Sequence, residues 1–190
     1  MKQYLIHHGE IIYLQDKEYG KTWSLCPNIN NDDEEYYITY GFGYSKFANM
    51  RMGLLQEQET YIPINDNIKV NLLRLKNTNN EKKDLKLVYY INPVLGEDEI
   101  KTNGYIDINY DQNSNIIYAK NLYTSDVKDQ NCYISSSEKI KSYTGNRKSF
   151  IGNGTLGKPE RLEKDSLGNE NSLRKFIMYC SRNKCRAKSI

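Results

Sequence analysis

Apolar residues recur at every second position through most of this chain, and that period admits few folds. Alternation by two is the pleat of a β-strand with one buried face. Tyr36, Ile38, Tyr40 and Phe42 share one face of an extended segment. Ile68, Val70 and Leu72 share another, and then Leu73 and Leu75 take over, a one-residue slip that predicts a β-bulge. Leu85, Leu87, Tyr89 and Ile91 alternate again. Ile106, Ile108 and Tyr110 enter the turn DQNSN, and Ile116 and Tyr118 leave it, which reads as a hairpin. Polar connections such as NTNNEKKD and GEDEIKTNG separate the strands, and the four prolines fall at strand ends or in loops. No long amphipathic helix interrupts the pattern. The expected fold is therefore all-β, an antiparallel two-sheet sandwich.

Charge narrows the partners. The net charge is +3, but Leu173 to Ile190 holds six basic residues and no acid, so residues 1–172 carry +3 less 6, or −3. A mildly acidic body is a poor nucleic-acid binder, because that binding rests on neutralising phosphates. The expected division is a sandwich domain over 1–172 and a basic, divergent, poorly ordered tail over 173–190. No apolar run approaches the ~20 residues that span a bilayer, and Met1 to His8 lacks the form of a signal peptide. Four cysteines, Cys26, Cys132, Cys180 and Cys185, form no CxxC pair, and His7-His8 has no ligand partner at helical spacing. Neither a metal nor a cofactor is expected. Reduced cysteines suit a cytoplasmic protein.

The stretch Gly41-Phe42-Gly43-Tyr44 tests a phosphate reading. Phosphate loops need GxGxxG or GxxxxGK[ST] opening a helix. Here strand patterns lie on both sides, so no phosphate cradle is expected. The plainer reading is a kinked strand under aromatics. The sharper one has Tyr44 and Phe47 flank a shallow sugar-binding surface. Glu57 and Glu59 alternate on one strand face, and a solvated face explains them better than a catalytic pair.

Six segments in order carry a family resemblance: IIYLQDKEYGKTWS, YGFGYSKF, GLLQEQETYIPINDNIKVNLLRLKNTN, LVYYINPVLG, AKNLY and YTGNRKSFIGNGTLGKPERL, within Gly9 to Leu162. Together they resemble the N-terminal, glycosyltransferase 36-like β-sandwich of the β-glucan phosphorylases of glycoside hydrolase family 94. The resemblance is to the cyclic β-1,2-glucan synthase and 1,2-β-oligoglucan phosphorylase group in particular. It implies a sandwich that precedes a helical linker and an (α/α)6 barrel. In such relatives the barrel supplies an Asp general acid, and phosphate attacks with inversion. No barrel text is present, so no catalytic residue is expected here and the chain should be silent alone. The family sandwich has further strands at both margins, so the sheet is expected to be incomplete at both ends. The text from Leu173 departs from the family, as a truncated, frame-shifted gene end or a divergent extension would.

Three functions follow from the resemblance. The chain is a scaffold sandwich packing on a barrel and a homodimer partner, a stand-alone carbohydrate-binding module, or an inactive remnant. In the second, exposed Trp23, Tyr44 and Tyr143 would stack weakly on β-glucan, although Trp23 also suits a core position. Arg147, in TGNRKSF, is read as a loop anchor. The resemblance also places a partner-facing loop after Val94-Leu95-Gly96, at Glu97, Asp98 and Lys101, where a solvated hairpin loop is the plainer reading.

Overall fold

The computed structural model describes residues 9–27, 34–93, 95–96, 104–122 and 131–171, and the backbone of 177–185. Among these residues the chain is all-β, with one five-residue helix, Arg147–Ile151 (α1), and a 3-10 turn at Glu160–Glu163. The strands described fall into three hydrogen-bonded sheets, consistent with the expected all-β, antiparallel sandwich. Alternation says which side chains share a face but not which strands share a sheet, since pairing joins residues far apart in sequence.

The chain divides into two compact units, and the division falls inside β1 (Glu10–Asp16) and β7 (Lys83–Ile91), which run through both. In the unit built on 13–86, the end of β1 pairs antiparallel with β2 (Lys21–Ser24), Leu14 opposite Trp23. The four strands β3 (Tyr37–Gly41), β4 (Tyr44–Arg51), β5 (Leu54–Tyr61) and β6 (Val70–Asn77) form an antiparallel meander in that order. The predicted bulge is absent. β6 runs in unbroken register with β5 from Tyr61↔Val70 to Leu54↔Asn77. Leu73, Leu75 and Asn77 turn inward, and the slip in the pattern is only Val70 and Leu72 on the outer face. The Gly41–Tyr44 stretch is a hairpin tip rather than a kinked strand. Gly41 pairs with Tyr44, and of the two loop residues only Gly43 has positive φ, at 78°, as a type II turn demands of its third residue. Phe42, at the tip, is fully exposed.

In the unit built on 87–181, β8 (Ile106–Asp111), β9 (Ile116–Asn121) and β10 (Asn131–Ser135) make a three-stranded antiparallel sheet. The DQNSN hairpin joins its first two strands as expected. Its inner face, Ile106, Ile108, Ile117, Ala119 and Ile134, packs with Leu95 and Ile140 into one aliphatic cluster, against which Leu87, Tyr89 and Ile91 of β7 lie. On the other face of β7, Tyr90 stacks on buried Phe150 of α1, ring centroids 6.1 Å apart. Asn146 caps α1 by accepting from Ser149 N at 3.2 Å, and half-buried Arg147 occupies the first helical position.

The tail differs from expectation. Residues Ile177–Cys185 form β12, antiparallel to β11 (Ser142–Thr144), with Tyr143 opposite Tyr179. The long sheet accordingly runs β11-β12-β7-β1-β2. An open strand edge needs a partner, and the run Phe-Ile-Met-Tyr-Cys has a strand's composition whatever its flanking charge.

Candidate functional site

Of the three aromatics expected to meet sugar, Trp23 is not exposed. It is 1% accessible, and its Nε1 donates to Gln56 Oε1 at 2.8 Å, with the Arg51 guanidinium 5.5 Å from the ring centre. The reason is its position on β2 opposite buried Leu14, facing the β3–β6 meander. The indole is a core residue, and the exposed-stacking role is corrected accordingly. Tyr44 is 39% accessible at the start of β4, but its ring lies over Gly41, where an added Cβ would come within 2.0 Å of Cε1. Phe47 meets Tyr40 edge to face at 6.3 Å. Phe47 falls on the opposite face of β4 from Tyr44, since the two are an odd number of residues apart. They therefore do not flank one surface. Tyr143 is half-buried on β11. Glu97, Asp98 and Lys101 lie outside the described residues. Their lead-in is anchored, because Asn121 Nδ2 donates to Leu95 O at 2.6 Å.

The outer face of the β3–β6 meander is a charge lattice. Lys46 on β4 reaches Glu57 on β5 at 2.6 Å, and Arg74 on β6 reaches Glu57 at 2.5 Å and Glu59 at 2.9 Å. The Lys46 hydrogen bond, followed by Arg74, holds the Glu57 carboxyl below its ordinary range. Both acids are occupied by cations across strands, which agrees with a solvated strand face. Asp16 is likewise engaged. It is fully buried, accepts from Lys83 Nζ at 2.9 Å, and caps the β1–β2 turn through Glu18 N and Tyr19 N. Glu160 accepts from Asn153 N at 3.0 Å.

The outer face of the β8–β10 sheet is different. Register places Tyr133, Tyr118 and Asn109 side by side across three strands. The next row is Asn131, Lys120 and Asp107. Tyr133 is 67% and Tyr118 37% accessible. Asn109 Nδ2 donates to Asp107 Oδ2 at 2.8 Å, and its Oδ1 accepts from Asn171 Nδ2 at 3.3 Å. Asn171 Oδ1 in turn accepts from the Tyr143 hydroxyl, and the Tyr143 ring lies 5.3 Å from that of Tyr110. Burial, with a smaller part from neighbouring Tyr110, pushes the Tyr143 phenol above its usual range. It remains a neutral donor. Tyr143 thus joins residues that the sequence reading had not selected. Their signal was present in the alternation of IIYAKN and NCYIS, which turns Tyr118 and Tyr133 away from Ile117 and Ile134. The alignment of the strands was not visible.

Nothing in either face has the chemistry of a metal or nucleophilic centre. No group of three or more His, Cys, Asp or Glu side chains suited to a metal occurs among the described residues. Burial, then the Glu10 charge, pushes the Cys132 thiol up and keeps it protonated. No helix among the described residues is long and apolar enough to cross a membrane.

Among the described residues the antiparallel sheets present a charge lattice on one outer face and a tyrosine–amide row on another. The sequence profile of the glycosyl hydrolase 94 supersandwich domain matches residues 6–178, and the chain belongs to that family. The match reaches into β12, beyond the limit of the quoted motifs. The N,N'-diacetylchitobiose phosphorylase of Vibrio furnissii is 23% identical over 151 residues, covering 76% of this chain and 19% of the relative. The cyclic β-(1,2)-glucan synthase NdvB of Rhizobium meliloti (strain 1021) is 24% identical over 147 residues, covering 76% of this chain and 5% of the relative. The chain thus spans a small part of the length of each.

Proposed function

We propose that this chain is a non-catalytic β-sandwich of a β-glucan phosphorylase or cyclic β-1,2-glucan synthase type of protein. It acts as a scaffold for an (α/α)6 catalytic barrel or a homodimer partner, and holds β-glucan weakly through surface tyrosines. The observation that carries this reading is the state of its carboxylates. Glu57, Glu59 and Asp16 each face a lysine or arginine within 2.9 Å, where inverting phosphorolysis needs a protonated acid aimed at the leaving oxygen. The free thiols Cys26 and Cys132 accord with a cytoplasmic setting.

The test is to incubate the purified chain with β-1,2-glucan or cellobiose plus phosphate and to assay glucose 1-phosphate. No product above the blank is expected. Product that disappears on changing one carboxylate of this chain would overturn the assignment. The scaffold role has its own test. Reversing the charges of Glu97 and Asp98 should weaken docking to a separately expressed barrel, and unchanged docking would remove that loop from the interface.

A further inference from the structure

The geometry points to the outer face of the β8–β10 sheet as an oligosaccharide platform, with Tyr133 and Tyr118 as the stacking rings and Asn109 and Asn171 as the hydroxyl-reading groups, Asn171 being held by the hydroxyl of Tyr143, whose ring packs with the inner cluster. This rests on the carbohydrate reading above and names a site for it. Cross-strand neighbours sit ~5 Å apart, so Tyr133, Tyr118 and Asn109 make a continuous strip about 10 Å long at strand spacing. An aromatic face suits the apolar C–H face of a sugar ring.

Three features select a neutral, hydroxyl-rich ligand. The row beside the tyrosines pairs Lys120 directly with Asp107, so opposite charges balance locally and the strip attracts neither anion nor cation. Along the tyrosine row itself the polar groups are the amides of Asn109 and, hydrogen-bonded to it, Asn171, which both donate and accept. They are also held in place. The chain Tyr143–Asn171–Asn109–Asp107 is hydrogen-bonded end to end, so a ligand would find their orientation already set. A partner protein would be expected to meet an apolar centre with a polar rim, whereas here the two adjacent rings run directly into an amide at one end and lie beside a charged row.

The experiment titrates the 190-residue chain with linear β-1,2-glucan oligosaccharides by calorimetry, beside the variants Tyr133→Ala, Tyr118→Ala, Asn109→Ala, Tyr133→Phe and Tyr44→Ala. Wild type should bind with a dissociation constant on the order of 1 mM. Either tyrosine-to-alanine change should weaken binding by about tenfold or more, as loss of a stacked ring does. Tyr133→Phe keeps the ring and should keep most of the affinity, and Tyr44→Ala should leave it unchanged. Tyr133 is mostly exposed, so its alanine variant should melt with the wild type, which separates binding from folding. Binding that survives both tyrosine changes and is lost in Tyr44→Ala would overturn the platform and leave the carbohydrate reading standing. Absence of binding by wild type to β-1,2-glucan, cellobiose and N,N'-diacetylchitobiose alike would overturn both. Self-association of the chain that Tyr133→Ala abolishes would assign the face to a second copy instead.

Discussion

The two small sheets bury opposite kinds of surface. Behind β8–β10 lies an aliphatic cluster of isoleucines, Ile108 and Ile117 at zero accessibility. Behind β3–β6 the inward positions include Asn49, Gln56, Gln58 and Asn77, each under a tenth exposed. These amides are knit into lines. Trp23 donates to Gln56, Gln56 donates to Asn49, Cys26 donates to Gln58, and Gln58 donates to Thr60, which donates to Asn71 at 2.6 Å. A dry cluster gains from every methyl group and is indifferent to direction. A polar layer gains little net free energy but is demanding of direction, and here one of its buried groups, Asn49 Nδ2, has no partner among the described residues. The contrast teaches that a sandwich can draw stability from one layer and specificity of packing from another.

Placing an amide in the dry layer should have the largest effect. Ile117→Asn removes buried methyl groups and leaves an amide without partners, a combined cost of about 4 kcal/mol or more. Urea unfolding followed by circular dichroism should find little or no cooperative transition at 25 °C. The reverse exchange should be milder. Gln56→Leu strands the Trp23 donor and the Asn49 amide, for about 1–3 kcal/mol. Adding Trp23→Phe and Asn49→Leu removes the stranded groups and should recover much of that loss. A triple variant less stable than the single would contradict the polar-layer account.

How much of this was legible beforehand depends on range. The DQNSN hairpin and the strand alternation were readable because each is set within a few residues. Trp23 stood between a core and an exposed reading because exposure depends on which strand covers β2, and its partner Gln56 lies 33 residues away. The Tyr143 ladder was half seen for the same reason. Asn109 and Asn171, which complete it, are 62 positions apart. The strand at Ile177–Cys185 was not legible because the flanking charge obscures the β-forming run within it.

Smaller effects belong to the outer faces. Lys46 and Arg74 depress the Glu57 pKa in the folded state relative to the unfolded chain. The stability so gained is present above the ordinary carboxylate range and is lost as pH falls through the depressed value. Replacing Arg74 with alanine should raise the Glu57 pKa in an NMR titration and lower stability only slightly at neutral pH, since both partners are solvated. High salt should mask the difference. On the other outer face, Tyr133→Ala should change stability by no more than about 0.5 kcal/mol, measured by thermal melting. A larger loss would mean that the ring supports the sheet.

The buried Asp16–Lys83 pair also sets a timetable. Its members are 67 residues apart in sequence, and a ribosome adding ~5–20 residues per second delivers the lysine roughly 3 to 13 seconds after the aspartate. The β3–β6 hairpins close between neighbours and need only microseconds once made. During synthesis β1 therefore waits while the meander is made, with its carboxylate unanswered and one edge unzipped. β1 is thus made before β2 to β6 but locked only after them, and the nascent chain carries an unpaired strand edge in that interval.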